Sequence, residues 1–173
     1  MTESRQLEPA VAASAVEGTE PLDWYQVGLG LKRAQHELRL AINAELDALG
    51  TNISQLNVLY EINRHPGVSS VDLARLAFLT PQTLGQQVIQ MQERVLVERR
   101  PGAGRKIRHH LTAAGERLLV AGMERVREVD SKVLTDFSDG ELAALVDAFR
   151  TIERRASEAR AHTKRFAPVV LDP

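Results

Sequence analysis

Two stretches of this sequence carry side chains suited to reading the surface of a polyanion. The first runs from Thr80 to Met91, where Leu84, Val88 and Met91 recur at helical spacing and leave Gln82, Thr83, Gln86, Gln87 and Gln90 mostly on the opposite face. That face is polar yet almost uncharged. A glutamine amide offers a donor and an acceptor together, the pair that matches N6 and N7 of adenine, and a threonine methyl meets the methyl of thymine. The second stretch, Arg94 to Arg108, holds Arg94, Arg99, Arg100, Arg105, Lys106 and Arg108 against the single acid Glu98. A local surplus of this kind neutralises phosphates and releases counterions, so binding through it weakens steeply with salt. The candidate DNA-contacting residues are therefore Thr80, Gln82, Thr83, Gln86, Gln87 and Gln90, with Arg99, Arg100, Arg105, Lys106 and Arg108 on the basic segment.

Other chemistries find little support. The 173 residues carry 22 Lys and Arg against 23 Asp and Glu, so attraction to DNA must be local rather than a property of the whole molecule. The absence of cysteine excludes thiolate catalysis, cysteine-held zinc or iron–sulfur clusters and disulfide switches. No nucleophile elbow, phosphate loop or HExxH is present, and Gly28-Leu29-Gly30 lies inside a helical pattern without a third glycine. His36, His65, His109, His110 and His162 lack metal-ligand spacing. No catalytic residue, metal or cofactor is expected. The opening MTESRQLEPA carries acids where a signal peptide needs a basic end and an apolar block, so the expected location is the cytoplasm, with no membrane partner.

The elements that must position these residues are mainly helical, because Leu, Ala and Val dominate while aromatics make up only 4%. Residues 1–20 read as a disordered tail and 21–173 as one domain. Leu22, Trp24, Val27, Leu31, Leu38, Ile42, Leu46 and Leu49 predict one long helix closing at Gly50. A short helix after Ser54 stops at His65-Pro66-Gly67. A second is capped by Ser69 with Asp72, and a third by Thr80 with Pro81 in its first turn. Two short strands around Pro101-Gly102-Ala103-Gly104-Arg105 predict a β-hairpin. Thr112 caps a long helix, and Ser138-Asp139-Gly140-Glu141 opens the last one.

Three short helices, a tight turn before the third and a basic hairpin after it are the order of a winged helix-turn-helix. The stretch VSSVDLARLAFLTPQTLGQQVIQMQERVLVERRPGAGRK, followed by LTAAGERLL, resembles the MarR family of bacterial transcription regulators. The resemblance implies a winged helix-turn-helix over about 52–112, flanked by dimerisation helices over about 22–49 and 113–165. It also implies a homodimer on a palindromic operator, acting as a repressor. The sequence departs from the family in three places. Gly104 precedes Arg105 where the wing usually holds an Asp-x-Arg element, Val95 stands where glycine is common, and Pro81 and Gln86 replace basic residues of many relatives.

Many members of the family release DNA on binding a small aromatic or phenolic effector. Trp24, Tyr25, His36, Arg39 and Tyr60 are the polar-aromatic residues in the corresponding helices. Apolar stripes around Trp24, Val27 and Leu31, and around Phe149, Ile152, Phe166, Val169, Val170 and Leu171, exceed what one small core needs and point to self-association. The alternative from another class is a helical dimeric module that binds a small molecule or a protein without binding DNA.

Overall fold

The computed structural model describes residues 24–102 and 107–163. The expected tail, Leu22, Arg105, Lys106, and the terminal Phe166 to Leu171 lie outside the described residues. Six helices and three strands follow one another: α1 (Trp24–Leu46), α2 (Ile53–Arg64), β1 (Val68–Ser69), α3 (Ser70–Leu76), α4 (Pro81–Glu93), β2 (Val97–Pro101), β3 (Ile107–Leu111), α5 (Ala113–Val133) and α6 (Asp139–Thr163). A single 3-10 turn, Asp47–Leu49, separates α1 from Gly50. The chain divides into two compact units within α1, after Leu40. In the first unit Trp24, 85% exposed, Val27 and Leu31 form a solvent-facing apolar stripe.

The second unit holds the core. Leu46, Leu56, Leu59, Ile62, Leu73, Leu84 and Met91 are fully enclosed, joined by Val58 and Val88, so α2, α3 and α4 each bury one stripe. The inward set of α4 is the one that its spacing predicts. The predicted hairpin is the larger part of a three-stranded antiparallel sheet in the order β1-β3-β2, with Val68 opposite His109 and Arg99 opposite His109 on the other side. The two-residue β1 is too short to leave a period-two signal, and sequence reading misses it.

Helix starts follow the caps. Ser69 accepts from the Asp72 amide and donates to its carboxylate at 2.7 Å, Thr80 accepts from the Thr83 amide at 3.1 Å, and Thr112 accepts from that of Gly115. Ser138 exchanges bonds with Glu141 at both backbone and side chain. The start of α2 differs from expectation: Asn52 is the cap, bonding the Gln55 amide at 3.0 Å, while Asn43 takes the Ile53 amide at 2.9 Å. Ser54 is then free for another task, described below.

The ends of the first helical segment, α3 and α4 share one device, in which a residue in the left-handed region lets two amides fold back onto carbonyls of the preceding turn. Gly50 does this after the 3-10 turn, with Thr51 bonded to Leu46. The same closure ends α3 at Phe78, φ +55°, with Leu79 bonded to Ala74 at 2.8 Å. It ends α4 at Val95, φ +56°, with Leu96 bonded to Met91 at 2.8 Å. The exit from α4 therefore keeps the geometry that a glycine would give, held by a β-branched residue that adopts it only at a cost. The Thr112 hydroxyl fixes the Val95 carbonyl at 2.6 Å. Beside it Gly115 packs so tightly on the Leu96 carbonyl that a methyl group would collide with it.

The α6 helix contrasts with this core. No described α6 side chain is buried, and Val146, Phe149 and Ile152 form an exposed apolar stripe between exposed ion pairs such as Arg150–Asp147 and Arg154–Glu158. Among the described residues no helix is long and apolar enough to cross a membrane.

Two substitutions test these closures in urea denaturation. Val95→Gly is expected to raise stability by about 1 kcal/mol, because it removes the left-handed penalty and little packing. Gly115→Ala is expected to lower it by about 2–4 kcal/mol through the collision with a backbone carbonyl. A destabilised Val95→Gly would overturn the strain assigned to the α4 exit.

Candidate nucleic-acid interface

Helix α4 presents its polar residues on two sides, and only one of them is free. Gln82 and Gln86 are exposed, and Thr83 sits half-buried with its hydroxyl 2.8 Å from that of Thr80. Gln87 turns the other way: its amide nitrogen donates to Ser54 at 2.7 Å, and its amide oxygen is buried without a partner. The Gln90 oxygen accepts from Gln55 at 3.3 Å, and Arg94 donates to the Gly50 carbonyl at 2.7 Å. Gln87, Gln90 and Arg94 recur at three and four residues, a single stripe facing the start of α2. The glutamine-rich helix thus has one polar side for docking onto α2 and another, Gln82, Thr83 and Gln86, open to a partner.

The strands divide their cations in the same way. Arg100 and Arg108 are paired across β2 and β3. Arg100 forms an ion pair with Glu98, and Arg108 donates to the Gly67 carbonyl at 2.9 Å. Arg99 pairs across the strands with His109, so the period of two puts both on the face opposite Arg100 and Arg108. Arg99 is exposed, and among the described residues it has no ion-pair partner. Of the eleven residues expected to touch DNA, nine lie within the described structure.

His109, which sequence reading sets aside as a histidine without metal-ligand spacing, is a buried structural residue. It is 1% exposed, its Nε2 lies 2.9 Å from the Ser70 hydroxyl, and its Nδ1 is buried without a partner. Protonation would place an unpaired N–H in an apolar setting beside Arg99. Burial first, then the charges of Arg99 and His110, lower its pKa from 6.5 to about 4. It is a neutral structural group at pH 7. The signal was available, since the period of two puts His109 on one strand face with Ile107 and Leu111, a face that must be covered.

A cavity of about 170 Å³ lies between α3, α4 and the sheet, walled by Val71, Leu84, Val88 and Ile89 with Arg99 and His109 at its polar side. The residues expected to hold an effector are elsewhere. Trp24, Tyr25, His36 and Arg39 belong to the first unit, where Arg39 lies 3.4 Å from His36 Nδ1. Tyr60 belongs to the second unit and carries the Arg64 guanidinium 5.7 Å from its ring centre. Among the described residues no group of three or more His, Cys, Asp or Glu could hold a metal ion.

Comparison with known proteins places this geometry. A sequence profile described as MarR family matches residues 49–106. The HTH-type transcriptional repressor Rv2887 of Mycobacterium tuberculosis is 32% identical over 110 residues, 62% of this chain and 79% of that protein. The crystal structure of the same M. tuberculosis protein in complex with DNA aligns with a TM-score of 0.61 at 26% identity, covering 73% of this chain and 96% of that one. Its complex with salicylic acid aligns with the same score at 27% identity, covering 73% and 95%. A MarR family regulator from Rhodococcus sp. RHA1 aligns at 0.70 with 22% identity, covering 81% and 96%, a likeness of fold.

The burial of His109 predicts a pH dependence. Its folded pKa lies below the unfolded one, so its contribution to stability is complete above about pH 6.5 and lost as pH falls toward 4. Between pH 7 and 5, His109→Gln is expected to lose on the order of 2 kcal/mol less stability than the natural chain in paired denaturant titrations. Equal slopes would show that His109 is protonated without penalty.

Proposed function

The chain belongs to the MarR family, and from that premise we propose that it is a sequence-specific transcriptional repressor that binds a palindromic operator as a homodimer. The observation that carries this reading is the open face of α4. Gln82 and Gln86 stand free beside Thr83 and the Thr80 cap, on a helix locked to α2 and followed by strands bearing Arg99 and Arg100. Such a helix fits the major groove, and its glutamines and threonine fit an A·T-rich half-site. The basic segment, whose sequence includes Arg105 and Lys106 between the two strands, supplies phosphate contacts. The winged helix-turn-helix comprises about 52–112, and the helices on either side form the dimer.

Two-fold pairing is what the exposed apolar stripes of α1 and α6 serve. It sets two α4 helices on half-sites about one DNA turn apart. An effector of the small aromatic carboxylate class, the kind bound by the M. tuberculosis relative, releases the operator by favouring another spacing of the two reading helices. Trp24, Tyr25, His36, Arg39 and Tyr60 are the proposed effector residues of the dimerisation helices. In this reading the protein works in the cytoplasm and carries no catalysis, which fits a family of transcription regulators.

The test is selection of bound sequences from a random duplex library with the full chain at two salt concentrations. A palindrome with A·T-rich half-sites, bound more weakly at higher salt, is expected. Gln86→Ala should reduce discrimination at one base pair per half-site by about 1–3 kcal/mol, whereas Arg99→Ala should weaken binding evenly across sequences and lower the salt slope by about one. Absence of enrichment, or binding indifferent to salt, would move the chain to the helical interaction modules.

A further inference from the structure

Phe78 is the most exposed large apolar residue described, at 89%, and it holds the left-handed backbone at the turn between α3 and α4. Neither property helps the fold. A bulky residue pays for a positive φ that glycine adopts freely, and a ring in water returns nothing through burial. The turn places Phe78 two residues before Thr80, the cap of the reading helix, at the end of α4 where Gln82 and Gln86 are exposed and Thr83 is half-buried. Val95 provides the internal comparison. It has the same backbone closure at the other end of α4, φ +56° against +55°, with its carbonyl secured by Thr112.

Resting on the operator-binding reading above, we propose that Phe78 is a DNA-contacting residue whose ring packs on the deoxyribose of the operator strand bordering the major groove. A duplex edge offers an aromatic ring the apolar face of a sugar between two phosphates. A side chain fixed at the tight turn before the reading helix reaches that edge when the helix N-terminus enters the groove. Such a contact carries no charge and touches no base edge. It therefore adds affinity without changing the salt dependence or the preferred sequence.

The prediction separates folding from binding by sign. Phe78→Gly in the full chain is expected to raise the Tm by about 3 °C, since the turn becomes unstrained. It is expected to weaken operator binding about tenfold, with an unchanged slope of log affinity against log salt. Phe78→Leu should recover part of the affinity without the gain in Tm. Val95→Gly should raise the Tm and leave affinity alone. Natural-sequence protein that binds its operator with salt dependence, beside a Phe78→Gly variant that binds equally well, would overturn the contact and leave the repressor reading standing. An affinity loss confined to particular base pairs, or an equal loss in Val95→Gly, would also overturn it. Failure of the natural chain itself to select any sequence would remove both.

Discussion

The position of the reading helix depends on one row of hydrogen bonds, from Gln87 to Ser54, Gln90 to Gln55 and Arg94 to Gly50. Each is worth about 1 kcal/mol in net stability, but their value lies in geometry. Leu84, Val88 and Met91 bury α4 against the core without fixing its rotation closely, since aliphatic contacts tolerate small slides. Directional bonds at three successive turns do fix it. Because the stripe touches the start of α2, whose first turn is capped by Asn43 of α1, the end of α1 and the reading helix share one continuous polar connection.

The basic segment obeys a similar economy. Counting charges along the chain overstates what is free to meet phosphate, because Arg94 and Arg108 are spent on carbonyls and Arg100 stands beside Glu98. The sheet turns Arg99 toward the cavity side with His109, whose neutrality avoids a second positive charge at the same spot. Electrostatic attraction for DNA is thereby concentrated on fewer groups than the composition implies.

Much of this organisation was legible in the residues. The caps at Ser69, Thr80, Thr112 and Ser138 are local hydrogen-bonding patterns, so their helices start where the sequence places them. The inward stripe of α4 follows from spacing alone. What escaped reading depends on partners distant in the chain. Nothing near Gln87 announces Ser54, 33 residues earlier, and nothing near His109 announces Ser70, 39 residues earlier. The α2 helix starts slightly before the expected point after Ser54, because Asn52 caps it through the Gln55 amide. Val95 was visible as a departure from glycine, yet only its backbone angle shows that the conformation stayed and the residue pays.

The α6 helix runs for 25 residues, and none of its described side chains is buried in the single chain. Most helical stability in a protein comes from packing an apolar face, so on the proposed dimer the order of α6 and the pairing of two chains form one equilibrium rather than two. The amount of protein in the cell then enters the regulatory response directly. On the dimer proposed above, operator occupancy at low abundance would rise with the square of chain concentration, giving the controlled gene a threshold set by copy number.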